Sequence, residues 1–269
     1  MDMVLKLSAN EFFHSSTQPL AIEPRAPQDS FPEHIHNFNE LIIINKGHGR
    51  HILNDYPCEL HQGMVLYIES KDRHLYENVE GLHLTNILVQ SYNNFKFIHN
   101  IESMLKAFKP AQGHCKLVDN KTLSASIKLI ENCSLSSDGM PLEADFLQLL
   151  RLLKLNAFDE IGSGGTDSQI NQLLIWLKHH FAEEIDWELL AERFDLSLRT
   201  LHRYFKLQTG CTPQVFLTKL RLAHAYYQLR YTDKSIINIA YENGFNDSCY
   251  FSTCFKNEFK CCPRHLRDM

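Results

Sequence analysis

Three cationic side chains recur at helical spacing in the last third of the chain. Arg199, Arg203 and Lys206 follow one another at intervals of four and three residues, so a helix places them on one face. The apolar residues of the same stretch share another face, namely Leu198, Leu201 and Phe205. Guanidinium groups donate paired hydrogen bonds to guanine O6 and N7, or bind phosphates. The pattern predicts a helix that packs by its apolar side and presents cations to DNA, with Thr200 and His202 as further contacts.

A short helix and a tight turn precede this cationic helix. The helix is expected to end near Phe194, and Ser197 stands where the N-cap of the next helix is expected. A helix, a short turn and a second helix with an apolar back and a cationic front form the helix-turn-helix arrangement. We therefore predict one such unit at about residues 188–209.

The same arrangement recurs about 50 residues later. Phe205 and Pro213 are matched at this shift by Phe255 and Pro263, which places a second unit at about residues 236–259. Two units can enter successive major-groove segments about 34 Å apart. The outward positions of the second reading helix are chemically poorer: Ser248, Cys249, Thr253 and Lys256, with Asn246 as the expected N-cap. We expect the first unit to supply more of the base-reading energy.

Histidines and a glutamate cluster in the first third of the chain. His34 and His36 alternate along one strand, so both face the same side of a sheet. With Glu40 and His74 they form a polar set that can bind a divalent metal. The same groups can instead hydrogen-bond a sugar in a wet pocket, or be satisfied structural histidines. We favour a sugar pocket without a metal over the metal and structural alternatives.

The elements that must position these groups differ between the two halves. Short apolar runs separated by turn residues, from about Ala21 to Gln90, predict strands at the spacing of a sandwich or small barrel. Longer periodic segments predict helices at residues 94–108, 120–132 and 142–155, and helices throughout from residue 169. The helix at 142–155 carries more leucines than one narrow face needs, so it is buried on several sides or pairs with another chain. The fold class is therefore α+β, a barrel with helices followed by an all-α region.

A glycine-rich stretch separates the two halves. Gly162, Gly164 and Gly165 with flanking serine, threonine and aspartate predict a flexible linker at residues 156–168. The predicted domains are residues 1–155, a sensor and dimerisation domain, and residues 169–269, a DNA-binding domain.

Composition and charge agree with a globular protein that has one basic surface. The 269 residues are 44% hydrophobic and 22% charged, which excludes wholesale disorder and fibrous architectures. The net charge of −5 argues against a generic polyanion binder, but the stretch from Leu196 to Thr232 has six lysines and arginines and no acid. The longest aliphatic run, Leu41 to Ile44, is far shorter than a membrane helix, and the N-terminus has no secretory signal pattern. We expect a cytoplasmic protein that does not enter a membrane.

The C-terminal block resembles the AraC/XylS family of bacterial transcription regulators. The resemblance rests on the spacing Ala240-x3-Gly244-Phe245, followed by Phe251, Phe255 and Pro263. The upstream half is similar to the cupin barrel with which members of that family sense sugars. Its two cupin-like motifs are carried by His34, His36, Glu40 and Gly47 and by Gly63, His74 and Asn78. The stretches Ile22–Arg25, Phe31–Glu40 and Leu196–Arg203 resemble the family's activators of L-rhamnose operons in particular.

This resemblance implies a homodimeric activator that binds double-stranded promoter DNA in the presence of L-rhamnose and contacts the sigma subunit of RNA polymerase. It implies Arg199 and Arg203 as base readers and Asp247 and Cys249 as contact positions of the second unit. It also implies Asp247 and Asn238 as the positions that face sigma. Cys249 stands where such proteins usually have asparagine, and Asn238 stands where they have an acid.

The sugar would be bound by His34, His36, Glu40, His74 and Arg25. The effector is the only small molecule implied, with no cofactor and no catalysis. Two alternatives remain: a regulator of the same family, activator or repressor, that senses a different sugar, and a metal-dependent cupin enzyme fused to a DNA-binding tail.

Overall fold

The computed structural model describes residues 4–110, 115–136, 139–157 and 166–268, and it confirms the α+β class. The strands are β1 Leu5–Leu7, β2 Leu20–Arg25, β3 Phe31–His36, β4 Asn39–Leu53, β5 Tyr56–Leu60, β6 Met64–Ile68, β7 His74–Val89 and β8 Lys116–Leu117. The helices are α1 Ile101–Lys106, α2 Asn120–Leu135, α3 Met140–Asn156, α4 Thr166–His180, α5 Trp187–Arg193, α6 Leu198–Thr209, α7 Pro213–Tyr231, α8 Ile236–Glu242, α9 Ser248–Phe259 and α10 Pro263–Asp268. None of the helices in these ranges is long and apolar enough to span a bilayer.

Two long antiparallel strands, β4 and β7, organise the N-terminal half. They pair from Asn39 opposite Val89 to Leu53 opposite His74. Strands β5 and β6 pair with the free edge of β4, and β2 and β3 pair with the free edge of β7. The result is one eight-stranded sheet with β7 and β4 at its centre.

This sheet folds back on itself. Glu40 pairs with Leu88 and His74 pairs with Leu53, so a straight ribbon would separate Glu40 from His74 by roughly 43 Å at about 3.3 Å per residue. The carboxylate of Glu40 instead lies 3.9 Å from the imidazole of His74. The register shifts between Ile44 and Arg50 mark the bend, and they give the strongly curled, barrel-like shape that the strand spacing predicted.

Glycine is required at the centre of this bend. Gly47 has φ 77°, and a Cβ at this position would lie 2.0 Å from the carbonyl oxygen of Gly81 on the facing strand. Any side chain would therefore push β4 and β7 apart at the point where the ribbon turns.

The helix predicted at residues 94–108 is largely absent. Only α1, Ile101–Lys106, is α-helical there. The preceding backbone amides of Lys96, Phe97 and Ile98 donate to the carboxylate of Glu143 on α3, at 2.7–2.8 Å. This buried carboxylate satisfies three adjacent N–H groups outside any helix, so the irregular backbone leaves none of the three unpaired.

The predicted helices of the C-terminal half are all present, and the two helix-turn-helix units repeat closely. Helices α5 and α8 have seven residues each, and α6 and α9 have twelve each. The second turn is one residue longer, so the N-cap of α9 is Asp247 and the prediction of Asn246 was wrong. Helix α4 begins at Thr166, three residues before the predicted start, and most of the predicted linker, residues 158–165, lies outside the described residues.

Candidate nucleic-acid interface and ligand cavity

The first reading helix, α6, is fixed by a cap at its start and by a buried apolar face. The Ser197 hydroxyl accepts from the backbone N–H of Thr200 at 3.2 Å. Leu201 and Phe205 are fully buried, and the ring of Phe205 meets the ring of Phe216 on α7 edge to face, with 5.3 Å between centroids. A helix held on one side in this way presents its opposite side at a defined angle.

The opposite side of α6 carries the predicted cations, and all of them face solvent. Arg199, His202, Arg203 and Lys206 are exposed. Within the described ranges, no carboxylate comes within ion-pair distance of Arg199, Arg203 or Lys206. The Arg203 guanidinium lies 4.7 Å from the centre of the Tyr204 ring, which limits its orientations. These charges are available to phosphates and base edges, which is the arrangement that the sequence pattern predicted.

Thr200 differs from the other predicted contacts of this helix. It is half-buried, and its hydroxyl lies 2.7 Å from the Ser197 hydroxyl. The side chain therefore takes part in the helix cap, and its free contact surface is smaller than that of Arg203.

The second reading helix, α9, presents a nearly neutral surface. Cys249, Thr253 and Lys256 are exposed and Ser248 is half-buried, but the Thr253 hydroxyl donates to the Cys249 carbonyl at 3.0 Å. Lys256 is thus the only cation among these four positions. The difference predicted between the two reading helices is present in the surface that each one offers.

The two positions implied to face sigma lie on the same unit. Asn238 on α8 and Asp247 at the start of α9 are exposed. The Asp247 carboxylate also accepts from the Cys249 N–H at 2.8 Å, so this residue caps α9 while its charge faces solvent.

A cavity of about 240 Å³ opens inside the curled sheet. This is below the roughly 300–1,000 Å³ of most ligand pockets, so it fits a small molecule. Four of the five predicted ligand-binding residues line it, namely Arg25, His34, Glu40 and His74, while His36 lies behind this wall. Tyr76 and Asn86 also line it and were missed by the sequence reasoning. The alternation of β7 could have indicated them, because Tyr76 follows His74 by two residues and Asn86 precedes the cavity residue Leu88 by two.

Several cavity groups have polar atoms without a partner. Glu40 Oε2, the Tyr76 hydroxyl and Asn86 Oδ1 are buried and make no hydrogen bond within the described structure. Burial raises the pKa of Glu40 to about 8, against the opposing effect of the Arg25 charge. Burying a polar atom without a hydrogen-bond partner is costly. These three atoms are therefore positioned to hydrogen-bond a polar ligand or water in the cavity.

The histidines behind the wall are held neutral and are linked to one another. Burial lowers the pKa of His36 to about 4, and burial, together with the neighbouring His51, His34 and His36, lowers the pKa of His74 well below its usual value. His36 Nε2 lies 3.2 Å from His74 Nε2, and His74 Nδ1 lies 2.9 Å from His51 Nε2. His36 donates from Nδ1 to the Phe38 carbonyl at 2.6 Å. Each ring orientation is therefore fixed by the next.

The sheet and the helical half are in direct contact. Arg50 on β4 is 1% exposed and pairs with Glu59 at 2.8 Å, with Glu77 at 3.0 Å and with Glu258 near the end of α9. Its guanidinium also stacks on the ring of Phe259, 4.9 Å from the ring centre. The sequence did not indicate this cluster, because its partners are separated by up to about 200 positions in the chain.

Helix α7 is tied to the β4–β5 hairpin by further polar contacts. The Tyr231 hydroxyl donates to Asp55 at 2.6 Å, and Lys219 donates to Glu59 at 2.7 Å. The hairpin is therefore a polar contact between the sheet and the helical half.

Comparison with known proteins agrees with this division. Residues 18–161 match the family model of the AraC-like ligand binding domain, and residues 190–269 match that of a helix-turn-helix domain. The fold and the two sites define a DNA-binding transcription regulator with a ligand-binding half. The chain belongs to the AraC family of transcription regulators.

Its relatives include proteins named HTH-type transcriptional activator RhaS. The one from Mannheimia succiniciproducens is 52% identical over 98% of this chain and 100% of its own length. The one from Citrobacter koseri is 43% identical, over 97% of this chain and 96% of its own length.

Two of the solved structures that match do so over part of the chain. A transcriptional regulator with an AraC-type DNA-binding domain from Chromobacterium violaceum is 28% identical and covers 39% of this chain and 95% of its own, with a TM-score of 0.37. The DNA-binding domain of AdpA in complex with a target DNA is 28% identical over 37% of this chain and 90% of its own, with a TM-score of 0.36.

Proposed function

We propose that this chain is a sugar-responsive activator of L-rhamnose operons that acts as a homodimer in the bacterial cytoplasm. The observation that carries the proposal is a small cavity with unpartnered polar groups in the same chain as an exposed, unpaired cationic reading helix. The relatives named RhaS, above 40% identical over almost the whole chain, favour L-rhamnose as the effector.

A thermal-shift screen of monosaccharides on the full chain tests the effector. A ligand that binds the native state alone raises the unfolding temperature by mass action. We expect L-rhamnose at millimolar concentration to raise it, and to be recovered unchanged because the protein is not an enzyme. No shift with L-rhamnose, together with a shift by another deoxysugar, would reassign the effector to that sugar.

Arg25 and Arg73 provide a matched pair of variants for this screen. Their side chains are 43% and 40% exposed, but only Arg25 lines the cavity. Arg25→Gln should weaken the response to the sugar, and Arg73→Gln should leave it intact. An equal loss in both variants would contradict binding at this cavity.

The homodimer is proposed on the outer surface of α2 and α3. Most leucines of α3 are buried in the chain's own core, which accounts for most of the excess seen in the sequence. Leu135, Met140, Leu147 and Leu155 remain exposed. Charged replacements at Leu147 and Leu155 should lower the dimer fraction measured by analytical ultracentrifugation, since neither residue belongs to the buried core cluster of this half.

The contact with sigma is proposed at Asp247 and Asn238. Asp247→Asn removes the charge and keeps a side chain that caps helices equally well. We expect this variant to bind promoter DNA as the wild type does and to activate transcription less in a reconstituted assay. Unchanged activation would exclude Asp247 from the contact.

A further inference from the structure

Two cysteines from distant parts of the chain have their sulfur atoms in contact. Cys58 lies in the middle of β5, and Cys115 directly precedes β8. Their Sγ atoms are 3.6 Å apart, although 57 positions separate the two residues in the sequence. The sulfurs of a disulfide are about 2.05 Å apart, so closing the bond requires a movement of roughly 1.5 Å. We propose that Cys58 and Cys115 form a redox-active pair, which hydrogen peroxide oxidises to a disulfide.

A second cavity gives a small oxidant access to this pair. Cys58 and Cys115 both line this cavity, which has a volume of about 300 Å³ and lies between the sheet and α7. Lys109 and Tyr231 line it as well and are exposed, so the cavity reaches the protein surface. Hydrogen peroxide is little larger than a water molecule, whose share of the liquid is about 30 Å³, and it can therefore enter.

A buried cation lies on the other side of Cys58. Lys178 on α4 is 6% exposed, and it lines a smaller cavity together with Cys58. The Lys178 Nζ makes no hydrogen bond within the described ranges. The thiolate is the reactive form of cysteine, and a nearby lysine charge stabilises it. Lys178 is therefore positioned to favour the nucleophilic form of Cys58.

The two thiols differ in acidity, and this difference gives each one a role. The hydrogen bond from the Cys115 thiol lowers the pKa of Cys58, with the help of the Lys178 charge and against the opposing effects of burial and Glu59. The same hydrogen bond, together with burial, raises the pKa of Cys115 well above its usual value. Cys58 is thus the thiol that reacts with the oxidant, and Cys115 is the resolving thiol beside it.

The oxidation takes two steps. The Cys58 thiolate attacks one oxygen of the peroxide, the O–O bond breaks and hydroxide leaves, which produces a sulfenic acid at Cys58. This hydroxide takes the proton of the Cys115 thiol and becomes water. The Cys115 thiolate then attacks the Cys58 sulfur, so that the S–S bond forms, the S–O bond breaks and a second hydroxide leaves. That hydroxide takes up the proton that Cys58 had released to solvent. Two electrons have then passed from the two sulfurs to the peroxide, which is reduced to two water molecules.

Peptide mapping of the full chain by mass spectrometry tests the pair directly. The protein is reduced, freed of the reductant, exposed to hydrogen peroxide, alkylated without reductant and digested. We expect a disulfide-linked peptide that contains Cys58 and Cys115 and that is lost on treatment with dithiothreitol. Cys115→Ser removes the resolving sulfur and keeps a hydroxyl that can donate to Cys58. In this variant dimedone, which reacts with sulfenic acids, should label Cys58 more strongly than in the wild type.

Cys133→Ser is the matched control, because Cys133 is 4% exposed and Cys115 is 7% exposed, but Cys133 lies outside the pair. This variant should form the linkage as the wild type does. The proposal is overturned if peroxide oxidises the exposed thiols of Cys249 and Cys262 while Cys58 and Cys115 stay reduced, or if folded Cys115→Ser gains no dimedone label at Cys58. Circular dichroism identifies a variant that fails to fold, and the wild-type peptide map then decides the question by itself. The test uses neither DNA nor sugar, so its failure leaves the proposed function standing.

Discussion

The two helix-turn-helix units have the same backbone arrangement, but they are joined to the sheet in different ways. The first unit shares one apolar cluster with the sheet, in which Ile42, Leu66, Leu190, Phe194 and Phe205 all belong to the same core. The second unit has its own separate core around α8 and α9. Its contact with the sheet includes the buried Arg50, which pairs with Glu258 and stacks on Phe259.

This difference matches the difference in their reading surfaces. The cation-rich α6 is held by apolar packing, which is strong and insensitive to small charge changes. The cation-poor α9 packs in its own apolar core but is joined to the sheet by charged groups, whose contribution depends strongly on geometry and surroundings. The attachment of the second unit to the sheet should therefore be the more sensitive of the two to the loss of a single charge.

Removal of Arg50 should have the largest effect. Arg50→Met leaves three carboxylates near one another without their shared cation, and among the described residues only Glu59 keeps another partner, Lys219. Breaking a buried ion cluster from one side costs about 3–5 kcal/mol. The free energy of unfolding from urea titration should fall by that amount, and a loss below about 1 kcal/mol would mean that the cluster is solvated.

Two isosteric variants then distinguish an effect on the attachment of α9 to the sheet from an effect on overall stability. Glu258→Gln removes the Arg50 partner on α9, and Glu77→Gln removes a partner within the sheet. Hydrogen exchange should speed up in α9 for Glu258→Gln while α6 stays protected. Equal changes in both reading helices, or the same pattern in Glu77→Gln, would contradict the separate attachment of the second unit.

Replacing one cation on each reading helix should give a smaller and unequal effect. Arg203→Ala should weaken binding to a cognate promoter by about 1–3 kcal/mol and relax specificity at its own half-site. Lys256→Ala should weaken binding almost equally on all sequences and lower the salt slope by about 1. Fluorescence anisotropy on matched and mismatched sites, over a range of salt, measures both. If Lys256→Ala altered specificity as much as Arg203→Ala, the two surfaces would be equivalent readers.

The reading helices were predictable because their signal is local. Arg199, Arg203 and Phe205 acquire their faces from helical periodicity alone, and that periodicity is set within four residues. The polar wall was partly predictable for the same reason, since His34 and His36 alternate on one strand.

The contacts between elements that are distant in the sequence were not predictable, because they depend on which elements pack together in the fold. Nothing in the sequence distinguishes Arg50 from the other arginines. Its role becomes visible only where its hairpin packs against α9. Glu143 is a surface residue by helical pattern, and only the fold shows that it caps the amides of Lys96 to Ile98. Pairing over such separations leaves no periodic trace in one sequence.

The apolar contact between the first unit and the sheet should weaken at low pH. His61 is fully buried beside Phe216 of α7, and burial, with the nearby charge of Lys178, lowers its pKa to about 3. The folded pKa is below the unfolded value of about 6.5, so the native state binds fewer protons. Its contribution to stability is complete above about pH 6.5 and falls as the pH drops towards 3, with about 1 kcal/mol lost by pH 5.5.

Urea unfolding of the wild type and of His61→Gln at pH 7.5 and pH 5.5 isolates the contribution of His61 to the pH dependence of stability. The variant should lose about 1 kcal/mol less between the two values, since glutamine does not titrate in this range. The same pH dependence in both proteins would assign the acid sensitivity to other groups.

The smallest expected change is a gain in DNA affinity through the second unit. Cys249 is exposed in the first turn of α9, and a thiol is a weak donor and a weak acceptor. Cys249→Asn supplies an amide that can bond adenine N6 and N7, at nearly the same helix propensity. Affinity should rise by up to about 1 kcal/mol, below the full bidentate value, because the position of α9 depends on a polar joint. Cys262→Asn, at another exposed thiol beyond the reading helix, is the control. The gain should vanish when the second half-site is scrambled, and a gain that persisted there, or that appeared equally in Cys262→Asn, would show that α9 does not read bases through this position.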